Sequence, residues 1–456
     1  MNSSTTNILS LVFFLIAVPS IIYYYTNYRN NGYDIPLNFD VTEGSFKILS
    51  YNVAGLPNII SQSNPKVNTK LISPKLNEYD LVNVQENFAY NRDLNSKLNF
   101  KYKTKFSGNV PIGDGLTTFS KYPLYMFDRN TWEDLHGFIV DGADAMTPKG
   151  FTFTSMEITP GFFIDVYNIH TDADRDELSI DARNSNMAQL AEYIQGISAG
   201  KAVLIFGDTN SKYTNEFDNF YDLIMKPCNL KDAWIETVME GKIPDKGKSL
   251  SPEELGQKGE VLDKIWYRSG KNVEIEATSF EILFNEFTDE KGKQLSDHYP
   301  VTSTINFKLN VKILTTDIFG GINGKGFSFI EKMDDKLPIS VTIYTTNTEV
   351  TKVGFTYADN GLVDAGENRG KENTYIFQKD EYITQMTISK YRKTLLSPYF
   401  ISYISLTTNL NNVISGGDLK IFDQITFKAP EGYSISGFIG YSSNVINKLG
   451  CVYLKK

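Results

Sequence analysis

Cysteine is almost absent from this chain of 456 residues: Cys228 and Cys451 stand far apart, and there are no others. Two thiols cannot build a disulfide framework or a multi-thiolate zinc site. A single bridge joining two folded units stays open, and two buried thiols are the favoured reading. Histidine is nearly as scarce, with only His136, His170 and His298. An excess of positive charge is missing too, since 45 Lys and Arg face 54 Asp and Glu for a net charge of −9. Nonspecific nucleic-acid binding relies on an overall basic field, so this balance weighs against a dedicated DNA enzyme, although a local basic groove stays open. Disorder is excluded, because 41% of the residues are hydrophobic and 22% charged.

What is present points to two folded units, since the chain is too long for one ordinary domain. The 27 tyrosines and 30 phenylalanines favour strands. An apolar run from Ile8 to Tyr25, broken at Pro19 and Ser20, stands at the N-terminus. Residues 1–25 read as a signal peptide, or as a signal-anchor about 18 residues long, enough to span a bilayer. Residues 26–44 read as a polar linker. The expected location is secreted or membrane-anchored, outside the cell.

From Phe46 onward, strand-like segments alternate with helix-like ones. FKILSYNVAG, LVNVQENF, LTTFSKYP, FTFTSMEIT, FFIDVYNIHT, KAVLIFGDTN, LDKIWYR and HYPVTSTINF read as strands. Leu178, Met187, Leu190, Ala191 and Ile194 suggest a helix over roughly 179–197. Polar motifs cluster at the strand ends, so an α/β sandwich with its site at one rim is expected. Past about Leu309 the helical spacing disappears. Seven or more short strands then alternate with Gly, Asn and Asp turns, which indicates an all-β unit. The expected boundaries are 45–308 and 315–456.

His136, in WEDLHGF, has the pattern of a structural histidine. His170 and His298 instead sit in dense polar motifs at strand ends. Hydrolysis of a phosphodiester needs oxygen ligands for a hard divalent cation, a base near neutrality, and donors for the charge that develops on phosphorus. Separate motifs supply such groups: Asn52 in SYNVAGLP, Glu86 in VQEN, and Asn168 with His170 in YNIHTDAD. Further along stand Asp208 with Asn210 in FGDTN, Asp263 in LDKIWY, and Asp297 with His298 in LSDHYPV.

In this order the motifs resemble the endonuclease/exonuclease/phosphatase superfamily, which includes deoxyribonuclease I, over about residues 45–308. The resemblance implies a four-layer α/β sandwich and a metal-dependent phosphodiesterase using Mg²⁺, with Mn²⁺ as the alternative. It implies Glu86, Asn52 and Asp297 at the metal, and His298 as base with its ring oriented by Asp263. Asp208 and Asn210 align the nucleophile and phosphate, His170 donates to a non-bridging oxygen, and Asn168 fixes the loop carrying His170. GLPNIISQSNPKVNTKLISPKLNEYDLV and YNIHTDADRDELSIDARNSNMAQL look more like the secreted sphingomyelinase-like phosphodiesterases than the repair nucleases. The aromatic segment FIVDGADAMTPKGFTF is a core strand or a membrane contact.

Residues 319–456 resemble the jacalin-type lectins, through FGGINGKGFSF, VTKVGFTYADNG, EYITQMTISKY, YFISYISLTTN and SGFIGYSSNVINKLGCVYL. That resemblance implies a β-prism of three four-stranded sheets and a glycan ligand held near Gly321, Tyr441, Ser443 and Asn447. The family's Gly-x-x-x-Asp sugar loop reads here as Ser443 and Asn447. The expected partners are a phosphodiester, with a lipid headgroup favoured over nucleic acid, and also a glycan and a membrane surface. A secreted endonuclease is the rival within the enzyme class. A glycan-binding surface protein with a scaffold first domain is the rival outside it.

Overall fold

The computed structural model describes residues 35, 41–58, 64–136, 147–321 and 323–456. The expected export segment, most of the linker, and residues 138–146 of the aromatic stretch lie outside these. Among the described residues, no helix is long and apolar enough to cross a membrane. The chain divides into Phe39–Val311 as one unit and Met1–Asn38 with Lys312–Lys456 as the other.

The strands of the first unit are, in order, β1 (Glu43–Asn52), β2 (Leu81–Gln85), β3 (Tyr102–Lys103), β4 (Thr117–Ser120), β5 (Leu124–Thr131), β6 (Gly150–Thr159), β7 (Phe162–His170), β8 (Ala202–Asp208), β9 (Lys231–Asp232), β10 (Asp263–Arg268), β11 (Val273–Ala277), β12 (Glu281–Ile282) and β13 (Val301–Leu309). One sheet runs β11-β13-β1-β2-β4-β3, with β12 also on β13, and the other runs β5-β6-β7-β8-β10-β9. Every residue of β2 and β7 is buried, the mark of strands covered on both faces. Helix α1 (Pro65–Lys75) packs Ile72 into a cluster with Leu49, Tyr51, Val82, Val84 and Phe119 of the first sheet. Helix α2 (Glu177–Ile197) lays Tyr193 on Phe151, Phe153 and Tyr167 of the second, at ring separations of 5.1, 5.7 and 6.1 Å. The layers are helix, sheet, sheet, helix.

Helix α2 begins where the Asp176 carboxylate accepts from the Leu178 and Ser179 amides. Leu178 itself does not join the apolar face; it is 58% exposed, while Ile180 is buried. With about 3.6 residues per turn, position 178 lies half a turn from Met187 and position 180 nearly in line with it.

Amides stitch the two sheets together. Asn83 Nδ2 donates to the carbonyls of Tyr167 (3.0 Å) and Phe206 (2.9 Å). Gln85 Nε2 donates to Asn168 Oδ1 at 2.7 Å, and Asn168 Nδ2 donates to the carbonyls of Val84 (3.0 Å) and Thr117 (3.2 Å). These three side chains are completely buried, so their hydrogen bonds hold the sheets in one mutual setting.

Register then decides where the chemistry-bearing residues fall. Asn52 lies opposite Gln85 in a parallel pair, and His170 lies opposite Asp208 in another. Asp263 faces Asp208 across an antiparallel pair, and Val301 faces Ser50 likewise. The C-terminal ends of β1, β2, β7 and β8 therefore share one rim with the starts of β10 and β13.

The second unit has a four-stranded sheet in the order Gly361–Gly366, Val350–Tyr357, Ser340–Thr345, Lys371–Ile376. Its other strands form a nine-stranded sheet that reads as two four-stranded ones. One is Lys325–Ser328, Tyr433–Ser442, Ile446–Lys455 and an edge made jointly by Ile313–Thr315 and Phe319–Gly320. The other is Gln424–Lys428, Ile383–Tyr391, Phe400–Thr408 and Val413–Gly417. A single residue pair, Ile383 with Ile435, joins them. This is the expected prism, with two of its three faces sharing a seam. Cys228 and Cys451 are free and buried.

Candidate active site

The rim gathers its polar groups around Asn52. Its Nδ2 donates to Glu86 Oε1 at 2.9 Å and to Asp208 Oδ2 at 3.1 Å, while its Oδ1 accepts from the Ala54 amide at 3.0 Å. Glu86 follows β2 in the left-handed region, with φ +56°. A non-glycine residue is held there only when its surroundings impose it. Gly115 lies against it, so close that a Cβ on Gly115 would stand 2.9 Å from Glu86 Cα.

Asp208 is the hub of the opposite side. His170 Nε2 and His298 Nε2 each lie 3.5 Å from its Oδ2, and its Oδ1 accepts from the Asn210 amide at 2.9 Å. Asn210 Nδ2 donates to the Thr171 carbonyl at 3.1 Å. On its far side the His298 ring meets Asp263 Oδ2 through Nδ1 at 2.7 Å. Ser296 Oγ donates to the Asn52 carbonyl at 2.7 Å and anchors the Ser296–His298 loop to β1. Asp297 is exposed at the rim and acts on Glu86 through its charge. His136 stands elsewhere, 3.6 Å from the helix-capping Asp176.

Charges at this rim perturb one another strongly. Burial raises the Glu86 carboxyl, with the Asn52 hydrogen bond and the His298 charge opposing it and Asp297 adding to it. Burial also opposes ionisation of Asp208, but His298, His170 and Lys149 outweigh it and hold that carboxyl below its ordinary value. For His298, burial works against the charged ring; Asp208 and Asp263 prevail and push its pKa well above the usual histidine value. Asp263 is raised by burial, against the pull of His298.

The structure thus places Asn52, Glu86, His170, Asp208, Asn210, Asp263, Asp297 and His298 at one rim. Asn168, expected to fix the loop carrying His170, ties the sheets together beneath the rim through Gln85, Val84 and Thr117. Sequence reasoning missed Lys149, Asn83, Gln85 and Ser296. Lys149 is 3% exposed, its Nζ donates to the Thr171 carbonyl at 3.2 Å, and its charge reaches both Glu86 and Asp208. Its only sequence signal is a lysine directly before an apolar strand.

In the second unit, Gly321 donates its amide to the Asn447 carbonyl at 2.8 Å, and Ser443 Oγ donates to Asn447 Oδ1 at 2.9 Å. Gly321, Ser443 and Asn447 therefore meet at one corner. Tyr441 does not face solvent with them. Its ring is buried with Lys448 Nζ 5.3 Å from its centre, in a strand buried along its length from Tyr433 to Tyr441.

An α/β sandwich with carboxylates, amides and two histidines on one rim, joined to a β-prism, defines the class of protein. Residues 56–248 match the endonuclease/exonuclease/phosphatase family 2, and residues 316–452 match the jacalin-like lectin domain. The first unit is therefore similar to the endonuclease/exonuclease/phosphatase family and the second to the jacalin-like lectins. It is similar to a sphingomyelinase of Mycobacterium bovis, 35% identical over 270 residues that cover 57% of this chain and 52% of that protein. A putative neutral sphingomyelinase of Drosophila melanogaster is 23% identical over 275 residues, covering 58% of this chain and 61% of that one. The chain thus spans about half the length of the mycobacterial relative. Among solved structures, a beta toxin of Staphylococcus aureus with bound magnesium ions is 19% identical, with a TM-score of 0.42, covering 57% of this chain and 99% of that one.

Proposed function

We infer that the first unit hydrolyses a phosphodiester with Mg²⁺, or Mn²⁺ in its place, and that its substrate is a sphingomyelin- or phospholipid-type headgroup ester outside the cell. The observation that carries this reading is the Asn52 amide, which couples the half-buried Glu86 carboxylate to a buried Asp208 flanked by two histidines. The sphingomyelinase relatives favour a lipid headgroup over nucleic acid, as does the net charge of −9.

The residues present suit a hard cation. Glu86 is a half-buried carboxylate whose ionisation is disfavoured by desolvation and by Asp297, and a divalent charge relieves both penalties. Glu86, Asn52 and Asp297 would hold it. Asp208, Asp263 and His298 also bring ligand-type atoms within 4.8 Å of one another. That trio contains an imidazole already bonded to a carboxylate, which suits proton handling better than magnesium.

When bound, the cation polarises a phosphoryl oxygen. His298 takes the proton of the attacking water at Nε2 from its neutral form, which the positive charge of a bound cation would favour against the pull of Asp208 and Asp263. Asp263 fixes the ring through Nδ1, and Asp263 and Asp208 together stabilise the imidazolium that forms. Asp208 and Asn210 orient the water and the phosphate. His170, its backbone carbonyl pinned by Trp132 Nε1 at 2.7 Å, donates to a non-bridging oxygen, and Lys149 adds positive charge. The lectin-like unit binds a glycan at the Gly321, Ser443 and Asn447 corner and holds the enzyme near its substrate.

Release of phosphocholine from sphingomyelin vesicles, set against digestion of plasmid DNA, each in Mg²⁺ and in EDTA, tests this reading. Phosphocholine release that EDTA abolishes is expected, falling by about 10²–10⁴ in His298→Ala. DNA cleavage without lipid turnover transfers the assignment to a nuclease. Glycan binding with neither activity leaves the first unit a scaffold.

A further inference from the structure

We propose that the Tyr391–Tyr399 hairpin tip of the lectin-like unit docks onto an anionic lipid surface, in addition to any glycan the unit binds. The tip joins strands Ile383–Tyr391 and Phe400–Thr408 and carries Leu395 and Leu396, which are 81% and 99% exposed. Exposed leucines of this degree side by side are costly in water and mark an interaction surface. Ile421, 68% exposed, stands on the neighbouring loop, which Lys420 links to the tip by placing its ammonium 4.8 Å from the Tyr391 ring.

Several polar groups of the tip bond within it. Thr394 Oγ1 and Ser397 Oγ bond each other at 2.7 Å, the Ser397 amide donates to Thr394 Oγ1 at 3.1 Å, and Arg392 Nη1 donates to the Leu395 carbonyl at 3.0 Å. The two leucines therefore occupy the crest of a closed turn. Closing these bonds within the turn lowers the cost of carrying backbone into an apolar layer.

Around the crest stand Lys390, Arg392, Lys393 and Lys420, and the rings of Tyr391 and Tyr399. Lys390 Nζ and the Arg392 guanidinium carbon lie 4.7 and 4.8 Å from the Tyr399 ring centre. Facing them are Glu349, 2.9 Å from Lys393, Asp418, paired with Lys420, and Asp423. With Arg369, whose Nη2 also lies 2.7 Å from Glu349, the collar sets five cations against three carboxylates, on a chain whose net charge is −9. Apolar crest, amphipathic rings and cationic collar, in that order from the tip, match the layers of an anionic membrane surface. The apolar crest dominates, so salt weakens docking without abolishing it.

Cosedimentation of the full chain with vesicles of phosphatidylcholine alone, or with about one-third phosphatidylserine, provides the test. The vesicles contain no sphingomyelin and the buffer contains EDTA, so the result is independent of whether the first unit is a sphingomyelinase. Binding to the phosphatidylserine vesicles is expected, weaker on phosphatidylcholine alone. Leu395→Ser/Leu396→Ser is expected to lower it on the order of tenfold or more, with an unchanged circular dichroism spectrum. Arg392→Gln/Lys393→Gln is expected to flatten its salt dependence. Equal binding by wild type and the leucine variant overturns the proposal, as does no vesicle binding by the wild type. Loss of glycan-array binding in the leucine variant, with vesicle binding intact, assigns the tip to sugar instead.

Discussion

Replacing Asn168 with alanine probes whether amides hold the two sheets in the setting that forms the site. Asn168 makes three side-chain hydrogen bonds, accepting from Gln85 Nε2 and donating to the Val84 and Thr117 carbonyls. All of these partners are buried. Each bond contributes about 1 kcal/mol net, and leaving Gln85 without its acceptor adds more, so a loss of about 3–4 kcal/mol is expected. In a unit of this size that corresponds to a fall in Tm of about 6–15 °C. Calorimetry of the full chain in EDTA reads it on the transition of residues 39–311. Asn168→Asp keeps an acceptor for Gln85 but turns a carboxylate toward two carbonyl oxygens, so it is expected to be at least as harmful. A shift below about 2 °C in the alanine variant refutes the idea that these bonds set the sheets against each other.

Glu86→Gln is expected to abolish turnover and yet stabilise the metal-free protein near pH 7. Burial raises this carboxyl, and a carboxyl raised on folding costs stability once the pH exceeds its unfolded value, since the folded state then resists ionisation. The gain in Tm in EDTA should vanish near about pH 3 and should be reversed by Mg²⁺; an equal gain at both pH values removes the burial argument. Gly115→Ala adds a Cβ 2.7 Å from the Phe88 ring and 2.9 Å from Glu86 Cα at φ +74°. A loss of more than about 1 kcal/mol and roughly tenfold weaker Mg²⁺ activation are expected, measured by urea unfolding and metal titration; wild-type values for both refute the close-packing account. Lys149 lowers both Glu86 and Asp208, so Lys149→Met should raise both and move the acidic limb of the pH–rate profile upward. A limb that stays in place or moves down contradicts that electrostatic role.

Local chemistry made much of this protein legible from residue order alone. Strands such as KAVLIFGDTN and FFIDVYNIHT are apolar runs of strand length that end in polar residues, so both element and rim position follow from sequence. Of the eight residues found at the rim, Asn52, Glu86, His170, Asp208 and Asn210 stand in such endings, and Asp263, Asp297 and His298 stand where strands begin. The helix face was misjudged at Leu178, because the first turn lies beyond the point where counting apolar residues distinguishes one side of the helix from the other. Tyr441 was misjudged because residue order does not show that its strand is buried along its length.

Tertiary structure alone decided what depends on partners distant in the chain. Lys149 matters because the fold carries it toward Glu86 and Asp208; beside its sequence neighbours it is an ordinary lysine. Asn83, Gln85 and Asn168 read as strand residues until two sheets face each other and bring their amides within hydrogen-bond reach of the facing strands. The protonation of His298 is likewise a property of Asp208 and Asp263, 90 and 35 positions away. Residue type and spacing determine which groups a chain can offer; which of them share a low-dielectric edge, and so perturb one another, is settled only when the strands pair.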